Sequence, residues 1–129
     1  MILVDTSAWV EFLRGTGSVV CDRVEVLLGE EIITCDPVRM EVLAGARDEL
    51  HLIQLRRLLG RASTISVGPT DYEEAAAIYR ACRRHGETVR KLIDCLIGAC
   101  AIRASVPVLH ADADFAVLGR HTPLMIDNP

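Results

Sequence analysis

The sequence predicts an α/β fold in which helices cover both faces of a mostly parallel sheet. Three observations predict it. Short apolar runs alternate with longer segments of helical periodicity along the whole chain. The length of 129 residues suits one domain, and a hydrophobic content of 50% is enough to form a core. We therefore expect one three-layer α/β/α sandwich that spans residues 1–129.

The predicted strands are short runs of apolar and β-branched residues. The first, Ile2-Leu3-Val4, is too short for a helix and is apolar throughout, which is typical of a central strand. The alternation of such runs with helices indicates parallel strands joined by helical crossovers. The predicted strands span residues 2–4, 31–34, 63–67 and 108–110, with 124–126 as a possible last strand.

Capping residues delimit the predicted helices. Thr6 or Ser7 is expected to cap the first helix, Asp36 the third and Thr70 the fifth. Thr88 is expected to open the sixth, which is the most apolar helix of the chain. The predicted helices span residues 8–13, 19–28, 38–46, 48–59, 71–84, 89–104 and 114–118.

The composition narrows the class of protein. A net charge of −4 argues against a protein held on nucleic acid by bulk charge. No stretch approaches the roughly 20 apolar residues of a membrane span, and no basic leader precedes the first apolar run, so we expect a cytoplasmic protein without a membrane partner. The five cysteines lack C-x-x-C spacing and the four histidines lack helical pairing. We therefore expect small buried thiols and no zinc site.

The charge is distributed unevenly along the chain. Residues 1–50 carry four arginines against ten acids, whereas residues 51–129 carry ten basic residues against eight acids. The densest basic stretch, residues 80–91, contains Arg83, Arg84, Arg90 and Lys91, which we predict to contact substrate phosphates. A solvated helix end, which favours cations in any case, is an equally good interpretation of this stretch.

Carboxylates follow the predicted strands. Ligands of open α/β sheets bind at the carboxyl ends of the strands. Asp5 stands at the end of the first strand, and Asp112 and Asp114 follow the fourth. Asp36 also follows a strand, but capping is its expected role. Two strand ends therefore present acids at one edge of the sheet.

Asp94 is an acid in a helix that is apolar on nearly all sides, and such a helix is mostly buried. A buried carboxylate without a partner costs several kcal/mol, so a cation or hydrogen-bond donors should face it. A metal ion would satisfy it. A structural ion pair with Arg90, one turn earlier, is the alternative.

Glu41 is an acid in another helix. Side chains on a helix lean toward its N-terminus, so the residue at i+4 tends to cover the residue at i. That residue is Gly45 for Glu41 and Gly98 for Asp94, which would leave both carboxylates uncovered. Close helix packing is an alternative reason for each glycine.

Together these acids form an all-oxygen ligand set. Asp5, Glu41, Asp94 and Asp112 suit a hard divalent cation such as Mg²⁺ or Mn²⁺ and do not suit zinc or copper. Such an ion can activate water and stabilise the oxygens of an in-line phosphodiester displacement. The chemistry that the pattern indicates is phosphodiester hydrolysis.

The order of these residues resembles that of the PIN-domain ribonucleases, and specifically of the VapC toxins of bacterial and archaeal toxin–antitoxin pairs. Each motif is weak alone, but four in order across the whole chain are specific. The matching segments are Asp5-Thr6-Ser7-Ala8-Trp9, Glu41 with Ala44-Gly45, Asp94-Cys95-Leu96-Ile97-Gly98-Ala99 and Asp112-Ala113-Asp114-Phe115.

The resemblance implies a PIN-like sandwich with a Mg²⁺- or Mn²⁺-dependent endoribonuclease activity. It also implies an RNA substrate, a homodimer and a VapB-type antitoxin, whose arginine would match the acid cluster by bidentate pairing. Inhibition of translation by cleavage of cellular RNA is the expected role. The RNA and the bond are left open.

The resemblance also implies residue roles. Either Asp112 or Asp114 could be the fourth acid near the metal, and we favour Asp112 because Asp114 could cap the last helical turn. Trp9 and Phe115 are expected in the core. The implied catalytic residues are Asp5, Glu41, Asp94 and Asp112, the metal ligands are Asp5, Asp94 and Asp112, and the auxiliary residues are Thr6, Ser7 and Asp114.

Other classes fit less well. A haloacid-dehalogenase-type phosphatase needs a second Asp two positions after the first, where this chain has Ser7, and a receiver domain needs a late lysine, whereas the only lysine is Lys91. No glycine loop for nucleotide phosphates occurs. A non-catalytic PIN scaffold that binds RNA or protein is the remaining alternative, and metal-dependent cleavage of RNA separates it from the nuclease.

Overall fold

The computed structural model describes all residues, from Met1 to Pro129. Four strands and seven helices alternate along the chain. The strands are β1 (Ile2–Val4), β2 (Ile32–Cys35), β3 (Ser63–Ile65) and β4 (Val108–Leu109). The helices are α1 (Thr6–Leu13), α2 (Val19–Leu27), α3 (Asp36–Ala44), α4 (Glu49–Leu59), α5 (Pro69–Arg84), α6 (Leu92–Ala104) and α7 (Ala113–His121).

The four strands form one all-parallel sheet in the order β3-β2-β1-β4. The chain moves from β1 outward to β2 and β3, and then crosses back to place β4 on the other side of β1. Parallel crossovers are right-handed, so this reversal puts α1–α4 and α5–α6 on opposite faces of the sheet. The helix contacts agree, since α1 packs on α2 and α3 while α5, α6 and α7 pack on one another. The predicted α/β/α sandwich is confirmed.

The order in which strands are added to the sheet reverses at β1, since β2 and β3 lie on one side of it and β4 lies on the other. A crevice forms at such a point, outside the carboxyl ends of the strands, because the helices on either side diverge to opposite faces. Asp5 directly follows β1, and Asp112 and Asp114 lie just beyond β4. The topology thus brings these acids to one crevice.

One hydrophobic cluster of 30 buried residues forms the core on both faces of the sheet. Leu3 and Val4 of β1 are fully buried, as a central strand requires. Trp9 and Phe115 are also fully buried, which confirms their predicted place in the core. All five cysteines are free and buried, so they pack as small hydrophobic side chains.

The predicted starts of α3, α5 and α6 are wrong, in addition to that of α1. α3 has Cys35 at its N-cap and Asp36 as its first residue, because β2 runs without a gap into the helix. α5 starts at Pro69 rather than after Thr70, and the Asp71 carboxylate accepts a hydrogen bond from the Gly68 N–H at 3.0 Å. Proline suits the first helical position because it has no N–H to leave unpaired.

α6 starts at Leu92, not after Thr88. The backbone N–H groups of Arg90 and Lys91 donate to the Asp114 carboxylate, each at 3.0 Å, and this tertiary contact holds the residues before Leu92 in a non-helical conformation. A local sequence pattern cannot reveal a partner 23 or 24 residues away.

The predicted strand at 124–126 is reduced to a single parallel bridge between Val108 and Ile126. Gly98 has a packing role: a Cβ there would lie 3.1 Å from the Leu118 side chain. It therefore faces the core rather than the crevice, whereas a Cβ at Gly45 would meet only the Val42 carbonyl oxygen, at 3.4 Å. None of the seven helices is long and apolar enough to cross a membrane.

Candidate active site

Asp5 caps the first helix, which explains why an apolar strand ends on a carboxylate. Its Oδ2 accepts hydrogen bonds from the Ser7 N–H at 2.9 Å and the Ser7 hydroxyl at 2.6 Å. The cap was predicted at Thr6 or Ser7, one or two residues too late. Only one carboxylate oxygen is needed for capping, so Oδ1 of Asp5 is left for another partner.

The hydroxyl groups of Thr6 and Ser7 connect Asp5 to two other elements. The Thr6 hydroxyl donates to Glu41 Oε1 of α3 at 2.8 Å. The Ser7 hydroxyl accepts from the Ala111 N–H at 2.9 Å, just beyond β4. These two bonds hold the ends of β1 and β4 and the face of α3 around one point.

A cleft of about 340 Å³ lies at this point. It contains three of the four predicted catalytic acids, Asp5, Glu41 and Asp94, which come from three separate parts of the chain. Asp5 and Asp94 are buried, with exposed fractions of 3% and 2%. The lining residues are Asp5, Thr6, Ser7, Val10, Glu11, Glu41, Lys91, Asp94 and Ala111.

The fourth predicted acid, Asp112, lies on the β4 side of the cleft with Asp114. Asp112 caps α7 by accepting from the Asp114 N–H at 2.9 Å, so the capping role predicted for Asp114 belongs to Asp112. Asp114 is buried. One carboxylate oxygen from each of Asp94, Asp112 and Asp114 lies within 4.8 Å of the others, a spacing that can hold a cation.

Two basic residues pair with the acids on the β4 side. Arg90 donates to Asp112 Oδ1 at 2.8 Å and to Asp114 Oδ1 at 3.3 Å. The Lys91 ammonium lies 2.8 Å from Asp112 Oδ2 and 3.7 Å from Asp94 Oδ2. The alternative Arg90–Asp94 ion pair does not form, because Arg90 lies before α6 and turns toward α7 instead.

Burial and pairing shift the pKa values of these acids in opposite directions. Burial raises the pKa of Asp94 to about 8, with further upward contributions from a hydrogen bond to Asp114 and from the charge of Asp5. Burial also raises the pKa of Asp5, and the hydrogen bonds from Ser7 offset this only in part. Burial acts on Asp112 and Asp114 too, but their cations and N–H donors bring both pKa values below the usual value.

Two buried carboxylate oxygens in the site have no hydrogen-bond partner: Asp5 Oδ1 and Asp94 Oδ2. A buried oxygen without a donor costs free energy, so such atoms call for a ligand. A hard divalent cation fits them, because carboxylate oxygens are its preferred ligands and its charge would stabilise the ionised carboxylates that burial disfavours. The residues present are therefore suited to a divalent metal ion.

The structure divides the basic stretch into two parts. Arg83 and Arg84 are exposed in the last turn of α5, where cations are favoured, whereas Arg90 and Lys91 join the acid cluster. Arg80, Arg83 and Arg90 line a groove of about 480 Å³ together with the Tyr79 ring, over which Arg83 lies at 5.6 Å. Arg90 thus borders both the acid cluster and this groove.

Sequence reasoning missed two features of the site. Glu11 lines the cleft, and its position four residues after Ser7 on the same helix face could have indicated it. Lys91 is also in the cleft, but its contact with Asp112 depends on the tertiary fold and has no local signal.

The fold and the site together define the class of protein. A sequence model of the PIN domain matches residues 2–120, and the chain belongs to the PIN-domain family.

Within that family the chain groups with the VapC ribonucleases. It is 49% identical to ribonuclease VapC11 of Mycobacterium tuberculosis over 128 residues, which cover 96% of each chain. Solved structures agree on the fold: VapBC2 of Rickettsia felis bound to a promoter DNA fragment has a TM-score of 0.78 at 19% identity and covers 99% of this chain and 98% of that one. VapC20 of M. tuberculosis, described as a sarcin–ricin loop cleaving toxin, has a TM-score of 0.68 at 20% identity and covers 92% and 95%.

Proposed function

We propose that this protein is a metal-dependent endoribonuclease that acts as the toxin of a VapBC toxin–antitoxin pair. It would hydrolyse phosphodiester bonds of cellular RNA and so inhibit translation. The observation that carries the metal dependence is the pair of buried, unpartnered oxygens of Asp5 and Asp94 at the reversal between β1 and β4. The whole chain, residues 1–129, would form one nuclease domain.

Asp5 and Asp94 are the residues best placed to hold Mg²⁺ or Mn²⁺, whereas Asp112, the third predicted ligand, has its oxygens bonded to Arg90 and Lys91 on the β4 side. When bound, the ion would lower the pKa of water and stabilise the oxygens of an in-line phosphodiester displacement. Asp94, with its pKa of about 8, would bind the ion only as it releases its proton.

The other polar side chains of the cleft orient these ligands. Ser7 fixes one oxygen of Asp5, so the carboxylate cannot rotate and its Oδ1 stays aimed at the cleft. Thr6 holds Glu41 with its other oxygen available to accept a proton or bind a water. Glu41 is the residue that we assign as general base, because it is half-buried in the cleft and hydrogen-bonded to a hydroxyl alone.

RNA is the proposed substrate, and the groove beside the cleft supplies a path for it. Arg80, Arg83 and Arg90 can neutralise phosphates along that path, and the Tyr79 ring offers a stacking surface. Of the predicted phosphate-binding residues, Arg84 lies outside the groove and Lys91 lies inside the acid cleft. Both are proposed to act by charge near the path.

A cognate VapB-type antitoxin is the proposed protein partner. VapBC complexes are among the structures with this fold. An arginine from the antitoxin would find two carboxylate oxygens in the cleft that accept no hydrogen bond and could pair with them in place of the metal ion. A homodimer and a cytoplasmic location, where RNA and antitoxin are present, complete the proposal.

Cleavage of RNA by the purified, antitoxin-free protein tests this function. Total cellular RNA is incubated with and without Mg²⁺, in the presence and absence of excess chelator, and the new ends are mapped. We expect defined cuts that need Mg²⁺ or Mn²⁺ and disappear on chelation. Full cleavage in excess chelator would contradict the metal dependence.

Two variants make the test specific. Asp5→Asn removes the ligand oxygen and should abolish cleavage, whereas Asp22→Asn makes the same change at an exposed position of α2 and should cleave as the wild type does. If the wild-type protein binds RNA tightly but never cuts it, the non-catalytic binding module is the better description.

A further inference from the structure

Lys91, the only lysine of the chain, lies inside the acid cluster. Its ammonium contacts Asp112 Oδ2 at 2.8 Å and lies 3.7 Å from Asp94 Oδ2, so it stands between the two carboxylates. The side chain is 50% exposed, which shows that the ammonium reaches into the cleft from outside rather than from the core.

The acid cluster has two sides that differ in their vacant oxygens. On the β4 side, Asp112 and Asp114 accept hydrogen bonds from Arg90, from Lys91 and from backbone N–H groups through all four of their oxygens. On the β1 side, Asp5 Oδ1 and Asp94 Oδ2 are buried and have no hydrogen-bond donor. Only the second side has buried oxygens that accept no hydrogen bond, and Lys91 reaches just one of them, Asp94 Oδ2, at 3.7 Å.

We propose that Lys91 is a built-in counter-ion that occupies a second cation position of the cluster, so that the site holds a single divalent ion between Asp5 and Asp94. This inference rests on the proposed metal-dependent function. A second ion would have to bind the oxygens of Asp94, Asp112 and Asp114, which are the three with suitable spacing. The Lys91 ammonium already contacts that set.

The balance of charge supports one ion. Arg90 and Lys91 offset two of the negative charges of the five carboxyl groups in the cluster. These groups belong to Asp5, Glu41, Asp94, Asp112 and Asp114. One divalent ion would offset two more. A second divalent ion would lie within a few ångströms of the ammonium, and the repulsion between cations at such distances in a partly buried site is strong.

Counting bound metal tests the proposal without relying on activity. Mn²⁺ is titrated into metal-free protein, with bound and free ion distinguished by electron paramagnetic resonance. We expect one Mn²⁺ per chain in the wild type and two in Lys91→Met, where removal of the ammonium frees the β4 side. Lys91→Arg keeps a cation and should bind one.

Two further variants control for net charge and for folding. Arg57→Met removes an exposed cation of α4 that has no ion pair, and it should bind one Mn²⁺ as the wild type does. Lys91→Gln keeps polarity at position 91 and should bind two, which gives a second measurement if Lys91→Met does not fold. Circular dichroism identifies folded variants.

The possible outcomes separate this proposal from the proposed function. Two Mn²⁺ per wild-type chain, or one Mn²⁺ at unchanged affinity in both Lys91→Met and Lys91→Gln, would overturn the role of Lys91 and leave the metal-dependent nuclease intact. No Mn²⁺ binding by the wild type at any concentration would overturn both. A second ion in Arg57→Met would show that net charge, not Lys91, sets the number.

Discussion

The carboxylates after β1 and β4 line one active-site region but are paired in opposite ways. Asp5, after β1, uses one oxygen to cap α1 and leaves the other buried without a partner. Asp114, after β4, has both oxygens bonded to the Arg90 and Lys91 segment. The first is therefore prepared for a ligand and the second for stability, which shows that an acid at a strand end can serve either purpose.

The pKa values follow the same division. Burial raises the pKa of Asp5, and it raises that of Asp94 despite the Lys91 ammonium 3.7 Å away. For Asp112 and Asp114 the cations and N–H donors outweigh burial and lower the pKa. An added cation would therefore stabilise the ionised forms of Asp5 and Asp94, whereas Asp112 and Asp114 already have their cations.

Asp94→Asn should reduce RNA cleavage by several orders of magnitude, because it removes an oxygen that the metal needs. The folded protein without metal should be as stable as the wild type or more so, since Asn is a neutral side chain of the same size and has no charged form to be buried at high pH. Cleavage with Mg²⁺ and chemical denaturation without metal measure the two effects. A strongly destabilised variant whose folded fraction cuts RNA at the wild-type rate would exclude Asp94 from the active site.

Asp114→Asn should have the opposite profile, with a loss of stability as the main effect. The Arg90 and Lys91 N–H groups and the Arg90 guanidinium would lose a charged acceptor, and hydrogen bonds to charged groups contribute about 1.5–3 kcal/mol each. We expect the free energy of unfolding to fall by about 2–4 kcal/mol in urea titrations. Asp22→Asn serves as the control, and equal stability of the two variants would show that the bonds on the β4 side are not important.

Metal binding should release protons, because the free protein holds Asp94 protonated up to about pH 8. At pH 7 each bound Mn²⁺ should release close to one proton, and affinity should rise about tenfold per pH unit below pH 8. Calorimetry in buffers of different ionisation enthalpy measures the release.

The raised pKa of Asp94 also determines how the free energy of unfolding changes with pH. The metal-free folded state binds the Asp94 proton more tightly than the unfolded state does, so the contribution of Asp94 is fully present below about pH 4 and is lost as pH rises toward 8. Asp94→Asn should remove this slope. A wild-type protein whose metal-free stability is constant over that range would contradict the raised pKa.

Much of this arrangement could be predicted from the sequence, because it depends on local signals. An apolar run ending in Asp5 and the alternation of strands with helices were sufficient to predict the parallel sheet and an acid at the carboxyl end of β1. The burial of Asp94 followed from its apolar helix. What could not be predicted were the long-range partners. Arg90 pairs with Asp112 and Asp114 through contacts that span more than 20 residues.

Ser7→Ala should have a moderate effect on both stability and activity. It removes the hydroxyl that donates to Asp5 and accepts from the Ala111 N–H, and an ordinary hydrogen bond contributes about 0.5–1.5 kcal/mol. We expect a loss of about 1–2 kcal/mol in unfolding experiments and a drop in cleavage of roughly tenfold, since Asp5 keeps the Ser7 N–H. Thr16→Ala removes a hydroxyl at an exposed loop position and is the matched control. An inactive but stable Ser7→Ala would indicate a direct role in the reaction.

Arg84→Ala should have the smallest effect, and it tests whether the basic end of α5 belongs to the functional region at all. Arg84 is exposed, forms no ion pair and lies outside the groove that Arg80, Arg83 and Arg90 line. If it contacts one RNA phosphate, the slope of log K against log salt for RNA binding should decrease by about 0.7. Arg57→Ala, on α4, should leave the slope unchanged. Binding is best measured with Asp5→Asn as the background, so that the RNA stays intact. An unchanged slope in Arg84→Ala together with a reduced slope in Arg83→Ala would confine the phosphate path to the groove, and would make Arg84 a solvated helix end.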